Sequence, residues 1–168
     1  MAALLREVPQ CWLSVSATTR APREGEREGV EYFFVSDEDF DRLVSEDALL
    51  EWAFVHGQRY GTLQSIVEEH IAAGEQVILE IDCQGGFQVK EKIPSTHLVF
   101  IEPPSLEVLE DRLRKRGTEG EEKITERMRT AKLELLRKKE YDVSLINDDL
   151  EKAVSELVAY VKGQTETE

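Results

Sequence analysis

Twelve arginines occur in the sequence, and eight of them fall in two groups: Arg20, Arg23 and Arg27 in one polar stretch, and Arg112, Arg114, Arg116, Arg127 and Arg129 around a second. A guanidinium keeps its charge at any physiological pH, and its planar fork grips phosphate oxygens two at a time, so such groups are candidate anion clamps. Arg20 and Arg23 follow Ser16, Thr18 and Thr19 just past the carboxyl end of an expected strand, where open α/β sheets place their ligands. Arg114 and Arg129 read as readily as solvated charges on a helix. Carboxylates form a second set. Glu80 and Asp82 close an apolar run and precede Gln84-Gly85-Gly86; acids there suit a magnesium–phosphate site, directly or through its water shell, and suit equally the cap of the next helix. Glu51 lies among Leu49, Leu50, Trp52, Ala53 and Phe54, where a lone carboxylate needs donors from the protein or from a ligand. Tyr60-Gly61-Thr62 adds two hydroxyls, the second of which is also a possible helix cap. His56, His70 and His97 lack metal-ligand spacing, and Cys11 and Cys83 indicate neither a disulfide framework nor a zinc site.

Elements that could hold these groups alternate along the chain. The runs Gln76–Ile81, His97–Ile101 and Val143–Ile146, together with Cys11–Ser16, read as strands buried under helices, which predicts an α/β fold with a parallel sheet flanked by helices on both faces. Residues 1–7 read as the end of a helix packed on that sheet. Between Thr18 and Gly61 the texture changes to turns, a short strand at Glu31–Val35, a helix from Ser36 and an extended piece at Leu49–Phe54, predicting an inserted mixed α+β subdomain over 18–61. Ser36 and Asp39 have capping-box spacing ahead of an acidic first turn. The next helix carries Leu63, Ile66, Val67 and Ile71 on one face and stops at Gly74. Ser105 caps a helix to Arg116; Gly117–Glu122 reads as a mobile hinge, followed by a helix with Ile124, Met128, Ala131 and Leu135 on one face. Residues 163–168 read as a frayed tail.

Composition narrows the class of protein. The 168 residues are 40% hydrophobic and 33% charged, the make-up of one soluble globular domain. Against 35 acidic residues stand only 21 lysines and arginines, a formal charge of −14 whose field repels nucleic acid and anionic lipid. A phosphate ligand therefore has to be held by a local cluster of cations. No segment reads as a secretory signal or membrane span, and the expected setting is the cytoplasm.

Eight strings, in order, carry a family resemblance: SVSATTRAPREGE (Ser14–Glu26), GVEYFFV (Gly29–Val35), LEWA (Leu50–Ala53), Tyr60-Gly61-Thr62, LEIDCQG (Leu79–Gly85), FIEPPS (Phe100–Ser105), RLRKRGT (Arg112–Thr118) and INDD (Ile146–Asp149). They closely resemble guanylate kinase over nearly the whole chain. The resemblance implies a P-loop kinase-like fold and transfer of the ATP γ-phosphate to GMP, with Mg²⁺ accompanying ATP. It implies a GMP site of Ser16, Arg20, Arg23, Tyr32, Glu51, Tyr60, Thr62 and Asp82. Arg20, Arg23, Tyr32 and Tyr60 would hold the phosphate; Glu51 and Thr62, supported by Ser16 and Asp82, would hold guanine. It further implies a lid over 112–130 whose Arg112, Arg116 and Arg127 act in catalysis on the ATP phosphates, with Arg116 and Asn147 contributing to ATP binding. Glu80 and Asp82 would meet the metal through water; Glu80 stands where the family usually has aspartate.

One family feature has no counterpart in these residues. The family opens with a strand and a glycine-rich phosphate loop, G-x-x-x-x-G-K-[ST], and no string of that form occurs here. The segment Met1–Glu7 matches the later part of the helix that follows that loop. The expectation is a guanylate kinase truncated at its front and catalytically impaired as written. The alternative is a non-catalytic guanylate-kinase-like module that binds a nucleotide or a peptide.

Overall fold

A computed structural model describes every residue except His56, 117–119 and 166–168, with Arg116 and Thr165 described in their backbone alone. The described chain forms two compact units, Met1–Thr96 and His97–Glu168. The first contains α1 (Ala2–Glu7), β1 (Cys11–Leu13), β2 (Ser16–Thr18), β3 (Phe33–Phe34), α2 (Asp37–Ser45), β4 (Leu49–Val55), β5 (Gln58–Leu63), α3 (Gln64–Ala72), β6 (Gln76–Ile78) and α4 (Cys83–Lys92). The second contains β7 (Val99–Glu102), α5 (Leu106–Arg116), α6 (Glu121–Arg137), a 3₁₀ turn at Lys138–Glu140, β8 (Val143–Ile146) and α7 (Leu150–Thr165). The hinge expected from Gly117 onward falls mostly outside the described residues, with α6 beginning at Glu121. The tail expected from Gly163 is helical as far as Thr165, and 166–168 lie outside the described residues. No described helix is long and apolar enough to cross a membrane.

In the first unit β1 pairs in parallel with β6, while a separate mixed sheet has the order β3-β2-β5-β4. The expected strand Cys11–Ser16 is therefore two strands in two sheets. The amide of Ser14 makes the last bond to the β6 side, to the Ile78 carbonyl at 2.9 Å, and two residues on, Ser16 lies opposite Thr62 of β5. That departure also ends β6 at Ile78 rather than Ile81, since no described partner continues the ladder; Leu79 and Ile81 still pack on the core of Leu50, Val67 and Val89. Helix α2 starts as its spacing requires: Ser36 Oγ accepts from the Asp39 amide at 3.0 Å, and Asp37, Glu38 and Asp39 complement the helix dipole. Arg59 on β5 ties α2 to the mixed sheet through Asp37 at 2.7 Å and Asp41 at 2.5 Å, its guanidinium lying 4.7 Å from the centre of the Phe40 ring.

Strand β4 does not alternate. Leu49, Leu50 and Glu51 are all buried, because the β4–β5 register runs Leu49↔Leu63 and then Glu51↔Thr62. Leu50 is thus the extra residue of a β-bulge, and the bulge turns Glu51 to the same face as Thr62.

In the second unit β7 and β8 pair in parallel, from Val99↔Val143 to Glu102↔Ile146, with α5 and α6 in the crossover. The strand expected from His97 begins two residues later because the Leu98 amide is taken by the Asp142 carboxylate at 2.7 Å. Leu98, Phe100, Ile124, Leu145, Ala153, Val158 and Val161 are buried. Ser105 caps α5 as expected, accepting from the Val108 amide at 3.2 Å.

Candidate functional site

The mixed sheet brings most of the expected GMP set together. Ser16, Thr62 and Glu51 lie side by side across β2, β5 and β4 through the pairs Ser16↔Thr62 and Glu51↔Thr62. Thr62 is fully buried and Glu51 is 4% exposed; the Thr62 hydroxyl donates to Glu51 Oε1 at 2.6 Å. The open alternative for Thr62 is thereby decided: it lies within β5, and α3 is preceded by Leu63 with no side-chain cap. Burial pushes the Glu51 carboxyl above the ordinary glutamate range; the Thr62 hydroxyl opposes that shift, the negative charge of Asp82 adds to it, and Lys92 opposes it. A carboxylate has about four acceptor directions, and one hydroxyl donor leaves capacity for a ligand's N–H groups.

Asp82 caps α4, its Oδ1 accepting from the Gly85 amide at 2.9 Å, so the cap reading holds for this acid. Its other oxygen accepts from Gln84 Nε2 at 3.3 Å. Glu80 is exposed beyond the end of β6 and lines an open cleft of about 300 Å³ with Leu13, Ser14, Ser16 and Tyr32. Among the described residues no three His, Cys, Asp or Glu side chains group as a metal site. Two acids, one committed to a helix cap, fall short of a cation site of their own; they fit an ion that arrives with phosphate and water ligands.

The second part of the set is built on aromatics. Tyr32 and Tyr60 rings meet edge to face at 5.8 Å, and the Arg20 guanidinium lies 5.2 Å from the Tyr32 ring centre and 5.9 Å from that of Phe34. Arg20 has a single dominant partner, Glu26, in a fork with Nη2 to Oε1 at 2.8 Å and Nη1 to Oε2 at 3.0 Å; Nη1 also donates to the Ala21 carbonyl at 2.9 Å. The fork raises the Arg20 pKa further above its already high value and holds the Glu26 carboxyl below the usual range. Glu26 and Ala21 take three of the five guanidinium N–H groups, and the Tyr60 hydroxyl is a further partner of Arg20; the edge carrying Nε is the one that Glu26 and Ala21 leave, with the geometry for a side-on grip on an anion. Arg23 is exposed, and its amide donates to Glu26 Oε2 at 2.7 Å. Glu26 escaped the sequence reading although it ends the first matching string; nothing in the spacing tells a brace from a solvated acid. Arg27, its partner in the cluster, is exposed and pairs loosely with Glu31 at 3.9 Å.

Arg112, Arg116, Arg127 and Asn147 all belong to the second unit. Arg112 Nη1 donates to the Asn147 carbonyl at 2.8 Å, and the Asn147 amide donates to the Glu102 carbonyl at 2.7 Å, so the α5 arginine is fixed on the loop after β8. Arg127 is half-buried on α6, and the Arg116 side chain lies outside the described residues. Arg114 takes the solvated reading, shared between Glu110 and Glu121.

Comparison with known proteins shows what the whole chain is similar to. The guanylate kinase family model matches residues 1–164. The chain is 51% identical to a guanylate kinase of Thermobifida fusca, the match covering 94% of this chain and 81% of that protein. It is 52% identical to one from Streptomyces kasugaensis, covering 94% and 77%. The crystal structure of guanylate kinase from Anaplasma phagocytophilum superimposes with a TM-score of 0.79 at 32% identity, covering 97% of this chain and 80% of that one. The chain belongs to the guanylate kinase family.

Proposed function

We propose that the chain phosphorylates GMP at the expense of ATP, giving GDP and ADP, as a cytoplasmic enzyme of purine nucleotide metabolism. The observation that carries this reading is the buried Glu51–Thr62 pair. Guanine offers two donors on one edge, N1–H and the 2-amino group, and one carboxylate can accept both. Adenine offers an acceptor at N1, which would leave Glu51 buried and unpaired. Ser16 and Asp82 support the base, while Arg20, Arg23, Tyr32 and Tyr60 take the phosphate, Arg20 through the edge that Glu26 leaves open. Arg112, Arg116 and Arg127, in a lid over 112–130, face the ATP phosphates, and Asn147 lies on the adenine side.

A GMP phosphate oxygen is already an anion and needs no general base. It forms a bond to the γ-phosphorus as the bond from that phosphorus to the β-bridging oxygen breaks, and the electron pair leaves with ADP. The residues contribute position and positive charge. The ion, Mg²⁺ in this proposal, arrives as part of the MgATP substrate, with Glu80 and Asp82 reaching its water shell. Calorimetric titration tests the site: GMP should bind much more tightly than AMP, and AMP binding as tightly as GMP would overturn the assignment.

A polypeptide of these 168 residues carries no G-x-x-x-x-G-K-[ST] string, and so lacks the backbone nest and lysine that hold the donor's β- and γ-phosphates. We infer that this polypeptide alone is strongly impaired in phosphate transfer. One arginine finger is worth about 10³–10⁵ in related reactions, and a whole phosphate cradle should matter at least as much. In a coupled ADP-release assay, turnover of about 1–100 s⁻¹ by the 168 residues would refute this, and recovery on adding a strand and loop of that form would support it.

A further inference from the structure

We propose that Gly85 is a specificity-determining position: by having no side chain it fixes the Glu51 carboxylate in the place where guanine is read. The inference rests on the guanine reading of Glu51 and adds a residue that never touches the nucleotide. A β-carbon built on Gly85 would stand 2.4 Å from Glu51 Oε2, 3.0 Å from its Cδ and 3.3 Å from Ile81 Cδ1. Real β-carbons essentially never come within about 3.0 Å of another heavy atom, so the carboxylate would have to retreat by the difference, about 0.6 Å. It has little room to do so. Its other oxygen is held by the Thr62 hydroxyl at 2.6 Å, its strand is pinned by the Leu49/Glu51 bulge, and the side chain is 4% exposed.

Conformation does not explain this glycine. It lies inside α4, and its φ is not in the left-handed region, unlike those of Gly25, Gly29, Gly57 and Gly74. Glycine within a helix is disfavoured relative to alanine. What the position gains is close approach: the backbone of α4 forms a wall against one carboxylate oxygen while Thr62 holds the other. A two-point match to N1–H and the 2-amino group needs that orientation, and displacements well under an ångström weaken such pairs.

Hypoxanthine keeps N1–H and lacks the 2-amino group, so the affinity ratio of GMP to IMP reports the second point directly. Gly85→Ala should lower that ratio about tenfold, and should weaken GMP and guanosine in parallel, since the phosphate grip is untouched. In a Glu51→Asp background, whose shorter acid clears the methyl, adding Gly85→Ala should change the ratio less than threefold. A ligand-free measurement runs alongside. Gly85→Ala should lower the melting temperature when Glu51 is present and raise it in a Glu51→Ala background, where alanine's helix preference acts unopposed. A parent that favours GMP over IMP, combined with an unchanged ratio in Gly85→Ala, would overturn the inference while leaving the guanine reading intact. A melting-temperature effect of the same sign in both backgrounds would overturn the packing on which the inference stands. A parent that does not favour GMP over IMP would overturn the guanine reading itself, and the specificity role of Gly85 with it.

Discussion

Glutamine at position 51 has nearly the volume of glutamate and differs in two respects: it carries no charge, and one of its two polar atoms is a donor. Guanine's N1–H and 2-amino group ask for two acceptors. In Glu51→Gln one bond becomes a donor–donor contact and the other loses its charge. Hydrogen bonds to charged groups contribute about 1.5–3 kcal/mol and neutral ones about 0.5–1.5, so trading two of the first for one of the second costs about 3 kcal/mol. That is a loss of GMP affinity on the order of 100-fold. The same change should stabilise the free protein near neutral pH, because Glu51 is 4% exposed and faces the charge of Asp82. The sign with pH follows from the raised folded-state pKa. Stability from this group is fully present below the ordinary glutamate value of about 4.3 and is lost as pH rises through the higher folded value. The melting temperatures of parent and Glu51→Gln should therefore converge in acid and separate toward pH 7.5, with the variant higher. Guanosine, which carries no phosphate to titrate in this range, should bind the parent less tightly as pH drops toward the raised pKa, while its affinity for Glu51→Gln stays flat. Calorimetry and thermal scans between pH 4.5 and 7.5 measure both. GMP binding within about threefold of the parent, or a variant less stable at every pH, would refute the reasoning.

Arg20→Ala should weaken GMP far more than guanosine, because only the nucleotide presents the anion; an equal loss for both in calorimetry would remove Arg20 from the phosphate site. Glu26→Ala should produce the same selective loss at smaller size, since it frees the fork that aims Arg20. Tighter GMP binding in that variant would show that the carboxylate competes with phosphate rather than braces the arginine. Added salt should weaken GMP more than guanosine, modestly so because the Arg20 side chain is only 14% exposed. Ser36→Ala should cost about 1 kcal/mol of stability in denaturant unfolding through loss of the cap on α2, without changing the selectivity for GMP over AMP.

Where sequence and structure agree, the cause is local chemistry. Ser36 capping, the stop at Gly74 with its φ of 81° and the Ser105 cap all depend on residues a few positions apart. The GMP set was named by resemblance, and the buried acid Glu51 was also conspicuous on its own in an apolar stretch. The features that were missed depend on distant partners. Cys11–Ser16 has the texture of one strand, and only the competing pull of β6 and β5 divides it. Glu26 and Gly85 look ordinary in sequence; one matters through the guanidinium it meets six residues back, the other through a carboxylate 34 positions away.

The bulge at Leu50 makes guanine recognition a matter of residue count as well as residue type. Opposed residues in a ladder share a face, so Glu51 meets Thr62 because Leu50, the extra residue after Leu49, is left unpaired. Deleting Leu50 would remove the bulge and leave Glu51 opposite Thr62 and Trp52 opposite Gly61 in an unbroken ladder, at the cost of one buried leucine. Inserting a residue there would instead carry the acid past Thr62 to the other face. Point substitution can therefore tune this site by degrees, whereas an added residue between Leu49 and Glu51 re-indexes the whole recognition strand at once. Variation among functional relatives should accordingly appear there as exchanged side chains and not as added residues.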